Sequence, residues 1–239
     1  MSRVECRSRR LWAILLAVVV SASACGCNLL PPPLVRERYA DNNPNAPHVY
    51  VLRGSVGIFP GAYDFQDVLA AHGIASTMTY CEAWPRVARQ IIEERQSGCC
   101  HPIVLVGYSK GATASIHIAR ELEDEGIDVD AIVILEGCHH RLIPRNVRYC
   151  FNAYKPAYIP RLYGLPVEAE CDETWIVNYN LLEHDCNGHI ATLRHLSLPR
   201  DYCIHSLLTE QVLLALNSGC FADEPDEHDD CDVPPKPAK

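Results

Sequence analysis

Pro102-Ile103-Val104-Leu105-Val106-Gly107-Tyr108-Ser109-Lys110-Gly111-Ala112 runs from an apolar strand through a tight turn into a helix. The run Pro102 to Val106 carries no polar residue, as expected of a strand buried on both faces. A helical pattern follows from Ala112 to Glu125. Between them, Gly107-Tyr108-Ser109-Lys110-Gly111 matches G-x-S-x-G, the pattern that lifts a serine onto a sharp strand-to-helix turn. Such a turn leaves little room, and the two glycines and Ala112 supply it. Ser109 then stands at the carboxyl end of a strand, where open α/β sheets bind ligands. It also adjoins a helix N-terminus, which favours developing negative charge. Ser109 is therefore the candidate nucleophile. The plain alternative is a glycine-rich turn with a bystander serine; strand, motif and helix agreeing with one another favours the nucleophile.

Outward from this turn, short apolar runs alternate with helical patterns. Val49 to Leu52, Ala75 to Tyr80 and Ala131 to Leu135 read as strands, and Val147 to Tyr154 and Thr174 to Asn180 are rich in β-formers. Gln66 to Ala71 belongs to a helix that ends at His72-Gly73. Trp84 to Gln96 is helical, with Val87, Ile91 and Ile92 on one face, and Ile204 to Leu216 is a closing helix. Alternation of this kind implies crossovers and a mostly parallel sheet of about six strands flanked by helices, an α/β architecture.

A serine nucleophile needs a base and an oxyanion hole. One oxyanion donor is the backbone N–H of Lys110, the residue after the nucleophile. The other comes from the loop after the first strand, Arg53-Gly54-Ser55-Val56-Gly57, through the amide of Ser55 or Val56. The triad order Ser, acid, His leaves His139, His140, His184, His189, His195 and His205 as candidate bases. The base belongs in the loop before the closing helix. His139 and His140 follow an earlier strand, and His205 falls inside the helix pattern.

Three stretches carry a family resemblance. They are Gly107 to Ala112; Ile143-Pro144-Arg145-Asn146-Val147 continuing to Asn152 and Tyr154; and His195-Leu196-Ser197-Leu198 followed by Ile204-His205. Over residues 48–217 the chain resembles small bacterial lipase- and thioesterase-like α/β-hydrolases, and its Gly-Tyr-Ser-x-Gly-Ala turn is similar to that of cutinases. The resemblance implies an α/β-hydrolase fold and makes His195 the base, with His189 next. It also implies an acid at the end of the strand after the elbow helix. That position holds Glu136, where much of the group has Asp. A cutinase-like site would instead use Asp185, which stands beside Cys186.

Composition bounds the rest. Of 239 residues, 48% are hydrophobic, enough for a sizeable core. The net charge of -9, with no basic patch, argues against a nucleic-acid partner. Arg7, Arg9 and Arg10, the apolar run Leu11 to Val20 and Ser21-Ala22-Ser23-Ala24 read as a secretory signal over residues 1–24. A retained anchor helix is the alternative, though the run is short for one. Ala22-Ser23-Ala24-Cys25 resembles a bacterial lipobox with Ala22 in place of the usual Leu. Cleavage after Ala24 and lipidation of Cys25 both fit, and Cys27 is a second candidate. A lipid would hold the protein on a membrane surface without spanning it. Residues 25–47 are a Pro/Asn-rich linker expected to hold neither helix nor strand, 48–221 the hydrolase domain, and 222–239 an acidic Pro-rich tail expected to be disordered. Eleven cysteines remain beyond Cys6 and Cys25. Export favours disulfides among them; zinc is disfavoured because no C-x-x-C pair occurs.

These features lead to one expectation: an exported serine hydrolase acting on a small-molecule or lipid acyl ester or thioester, periplasmic, envelope-bound or secreted. The chemistry needs no metal or organic cofactor. The rivals are a non-catalytic envelope protein on the same fold and a disulfide-rich interaction module.

Overall fold

Alternating apolar faces organise the molecule. In the computed structural model, strand β2 (His48–Arg53) directs Val49 and Val51 to one side of a sheet and Tyr50 and Leu52 to the other. The same period of two sorts β4 (Val104–Tyr108), whose Val104, Val106 and Tyr108 join the first side while Leu105 joins the second. Helices cover both faces. Helices α1 (Ala62–Ala71) and α5 (Tyr202–Ser218) bring Phe65, Leu69, Leu208 and Val212 to the first side. Helices α2 (Trp84–Gln96) and α3 (Lys110–Asp124) bring Val87, Ile91, Ile118 and Leu122 to the second. Each fully buried Leu, Ile or Phe stabilises such a core by about 1.5–3 kcal/mol.

The structure describes residues 36–38, 47–99, 101–138, 142–156, 164–185 and 187–218. All belong to one unit, Val35–Lys239. The signal segment, Cys25, Cys27, most of the linker, the acidic tail, His139, His140, Cys100 and Cys186 lie outside them. Among the described residues no helix is long and apolar enough to cross a membrane.

The remaining strands are β1 (Arg36–Arg38), β3 (Ala75–Tyr80), β5 (Val129–Leu135), β6 (Val147–Tyr154) and β7 (Trp175–Asn180). The sheet order is β1-β3-β2-β4-β5-β6-β7. Six strands, β3-β2-β4-β5-β6-β7, are parallel, and β1 runs antiparallel along the outer edge of β3. With a serine elbow closing β4, this is a minimal α/β-hydrolase fold. The chain leaves β2 toward β3 and leaves β4 toward β5, in opposite directions along the sheet. The carboxyl ends of β2 and β4 therefore flank the topological switch point, where such sheets form their ligand crevice.

Two expectations need correction. Arg36–Arg38 forms a strand inside the stretch expected to be a structureless linker. The open backbone edge of β3 supplies the pairing that these three charged residues would not be expected to seek by themselves. The disulfides expected from the cysteine count join no two described cysteines: Cys81, Cys99, Cys138, Cys150, Cys171 and Cys203 are free thiols. Cys150 is fully buried in β6, packed as a small apolar side chain. Burial raises its pKa well above the ordinary thiol range. Burial, with help from the Glu82 carboxylate, pushes the Cys81 thiol up to about 12. At pH 8 both therefore hold almost no thiolate, the form that reacts. Native iodoacetamide treatment followed by peptide mass spectrometry should label the exposed Cys203 and leave Cys81 and Cys150 unlabelled until the protein is unfolded.

Candidate active site

Strand β4 carries the chain two residues beyond Val106, so that Gly107 and Tyr108 are still paired, opposite Ile134 and Leu135 of β5. Helix α3 begins directly at Lys110. The whole reversal thus falls on Ser109, at φ 56 and ψ -119. Space dictates its neighbours. A Cβ on Gly107 would lie 2.6 Å from Ala112 Cα, and one on Gly111 would lie 2.0 Å from the Leu52 carbonyl oxygen. Both contacts are with backbone, which cannot swing aside.

His195 faces the serine. Its Nε2 lies 3.2 Å from Ser109 Oγ, and its Nδ1 lies 3.2 Å from Glu136 Oε2. Tyr108 positions the imidazole twice. Its ring stacks on that of His195 with centroids 5.0 Å apart, and its hydroxyl donates to the His195 carbonyl oxygen at 2.7 Å. Glu136 is wholly buried. Its Oε1 accepts the backbone N–H of Lys155 at 2.6 Å, leaving Oε2 for His195. The Lys155 ammonium in turn donates to the carbonyl oxygens of Ile190, Ala191 and Leu193, tying the end of β6 to the segment that leads into His195.

The other sequence candidates lie elsewhere. Asp185 caps the short helix α4 (His189–Thr192), accepting the Ala191 N–H at 2.7 Å. Desolvation pushes its pKa up, but the N–H groups of Ala191, Ile190 and His189 and the His189 ring outweigh it, and the carboxyl titrates below the ordinary range. His189 pairs with Asp201 at 2.7 Å, and His184 stacks on Tyr179. His205 is buried inside α5 with Nε2 2.8 Å from the Pro199 carbonyl oxygen. Asn146 and Asn152, part of the family-like stretch, brace the fold. Asn146 donates to the carbonyls of Ala119 and Ile127, and Asn152 to that of Leu165.

The loop after β2 packs against the serine: a Cβ on Gly54 would meet Ser109 Cβ at 3.2 Å. Three backbone bonds close its turn, Gly54 N–H to Ile58, Gly57 N–H to Gly54 and Ile58 N–H to Ser55. None of them uses the amides of Ser55 or Val56. The Lys110 amide opens α3, where first-turn N–H groups have no acceptor within the helix.

Backbone strain falls on the same residues. Among the described residues, the only non-glycine positions with positive φ are Val56 (49°), Ser109 (56°) and Glu136 (52°). This conformation is costly for L-residues, above all for β-branched Val, and such strain gathers at functional sites. The sequence reading names all three: Ser109 from its motif, Val56 as one of two candidate oxyanion amides and Glu136 through the family resemblance.

One neighbour was not foreseen. Cys138 Sγ lies 3.2 Å from Ser109 Oγ, and the Cys138 amide donates to the Ser109 carbonyl oxygen at 3.2 Å. Its only sequence signal is that it stands two places after Glu136. Among the described residues no group of three His, Cys, Asp or Glu side chains is arranged to hold a metal ion.

No protein-family model matches the chain, and no curated protein matches it. Solved structures similar to it include the thioesterase domain from the curacin biosynthetic pathway, at 18% identity and a TM-score of 0.32. That match covers 44% of this chain and 42% of the domain, so this chain spans less than half of that relative. The type II thioesterase BorB from the borrelidin biosynthetic cluster is 16% identical, with a TM-score of 0.37 over 68% of this chain and 97% of that one. YbtT, a type II thioesterase from the yersiniabactin NRPS/PKS pathway, is 11% identical, with a TM-score of 0.41 over 79% and 98%. The strand order and the elbow carry the fold without them.

Proposed function

We propose that this chain is a serine hydrolase that cleaves a carboxylic ester or thioester through an acyl-Ser109 intermediate. The observation that carries this reading is the unbroken chain of contacts from Ser109 Oγ through His195 to the buried Glu136. In it, Nδ1–H donates to Glu136, which leaves Nε2 free to take the serine proton as Oγ attacks the carbonyl. The amides of Lys110 and of Ser55 or Val56 stabilise the oxyanion. His195 then passes the proton to the leaving alcohol or thiol, and water activated by the same imidazole releases the acid. Nothing in these steps draws on a metal or an organic cofactor. In this reading residues 1–24 are a secretory signal and the reaction runs outside the cytoplasm, in the periplasm or envelope or as a secreted protein; lipidation of Cys25 would hold it on a membrane surface.

A fluorophosphonate probe tests the reading, because it labels a serine only when base and oxyanion donors have activated it. The folded protein is expected to label at one site, and Ser109→Ala or heat denaturation to abolish the signal. Absence of labelling in the folded wild type would leave a hydrolase fold without the reaction, and the proposal would fail.

A further inference from the structure

Arg53 ends β2 one residue before Gly54, which packs on Ser109. It is only 7% exposed, and its Nε and Nη2 atoms are enclosed with no hydrogen-bond partner. The guanidinium carbon sits over the ring of Tyr80, 4.2 Å from the centroid. A guanidinium keeps its charge at any physiological pH, so burial cannot neutralise it. A buried charge without a partner is among the most costly features a fold can carry. Stacking on one tyrosine offsets only part of that cost.

Its position suggests what completes it. Arg53 follows Val49 and Val51 on the sheet face that also carries Tyr108. Arg53 pairs with Tyr80 on one side, and its neighbour Leu52 pairs with Gly107 on the other. Across the carboxyl edge of the sheet the side chains on this face therefore run Tyr80, Arg53, Tyr108, with His195 stacked on Tyr108. Gly57 closes on the Tyr80 ring, so tightly that a Cβ there would lie 1.9 Å from it. The cation thus sits where the turn bearing the Ser55 and Val56 amides meets the sheet. At a strand spacing of about 4.8 Å it stands one to two strands, roughly 5–10 Å, from the reacting carbonyl.

We propose that Arg53 is the subsite for a carboxylate on the substrate, so that the preferred substrate is an anionic ester or thioester with its charge about four to six bonds from the scissile carbonyl. This rests on the hydrolase reading above and adds the substrate class to it. A carboxylate docked on the guanidinium completes its hydrogen bonds and fixes the acyl group against Ser109.

The test compares p-nitrophenyl hexanoate with the p-nitrophenyl monoester of adipate, which has the same chain length and ends in a carboxylate. Wild type should prefer the adipate ester in kcat/KM by about 10- to 100-fold, the worth of a charge-assisted hydrogen bond. Arg53→Met should collapse that ratio toward one, and Arg53→Lys should keep part of it. No preference in wild type, or a ratio unchanged in Arg53→Met, overturns the proposal. A binding measurement stands apart from turnover: free adipate should raise the Tm of Ser109→Ala, and have no such effect once Arg53→Met is added. Equal shifts, or none in either, also overturn it. Loss of fluorophosphonate labelling would sink the hydrolase reading, whereas labelling with no adipate preference would sink the subsite alone.

Discussion

Exchanging Glu136 for Gln is expected to lower kcat by about 10⁴-fold, the scale seen when a triad acid loses its charge but not its shape. The buried amide would keep its oxygen toward the Lys155 N–H, which now meets Oε1 at 2.6 Å. Its NH₂ would then face His195 Nδ1, now 3.2 Å from Oε2. Two donors cannot share that contact, so Nδ1 must become the acceptor and the proton must move to Nε2. The imidazole then presents N–H to Ser109 and cannot take its proton. Asp185→Asn should leave kcat unchanged, because that carboxylate caps α4 and does not face the imidazole. Steady-state kinetics on a p-nitrophenyl ester, with circular dichroism to verify the fold, separates the two. A large loss in the Asp185 variant with little in the Glu136 variant would reverse the assignment of the acid.

Methylthiolation of Cys138 should cut turnover at least about 100-fold, and dithiothreitol should restore it. The thiolate attacks methyl methanethiosulfonate, a disulfide to SCH₃ forms, and methanesulfinate leaves. With Sγ 3.2 Å from Ser109 Oγ, the added group must occupy the space an incoming acyl carbon needs. Displacements of about 1 Å at a reacting centre already cost this much. Cys138→Ala should be indifferent to the reagent, although Cys203, exposed at the start of α5, still reacts. Inactivation that persists in Cys138→Ala would place the sensitive thiol elsewhere.

Much of the fold was legible in the sequence because punctuation and periodicity agreed. Ala75–Tyr80, Trp84–Gln96 and Val147–Tyr154 match the structure to the residue. The elbow is tighter than the sequence reads: the strand runs two residues further, to Tyr108, and the helix begins two residues earlier, at Lys110. Gly107 reads as a turn former, but in the sheet it is a strand residue whose missing side chain makes room for Ala112. Strand β1 was illegible, since three charged residues pair there only because β3 offers an open edge. The site shows the same division. Ser109 and the turn amides follow from local motif and chain order, and His195 follows from the family resemblance. The choice between Glu136 and Asp185 does not, because it depends on a positive-φ bend after β5 that carries one carboxylate to the imidazole, and on a short helix that engages the other. Arg53 reads in the sequence as the first residue of the loop after the strand Val49 to Leu52, whereas it is the last residue of β2. Only packing reveals that two of its guanidinium nitrogens are enclosed without a hydrogen-bond partner.

The left-handed backbone at Ser109 also says something about heat. A seryl side chain at φ 56 and ψ -119 is a standing burden on the folded state that a glycine would not bear. Ser109→Gly abolishes the nucleophile, yet the variant should melt a few degrees later than wild type, since relief of about 1 kcal/mol moves Tm by that much in a domain of this size. The protein would then be most durable in the form that can do nothing, and its working temperature would be set by the residue it can least replace.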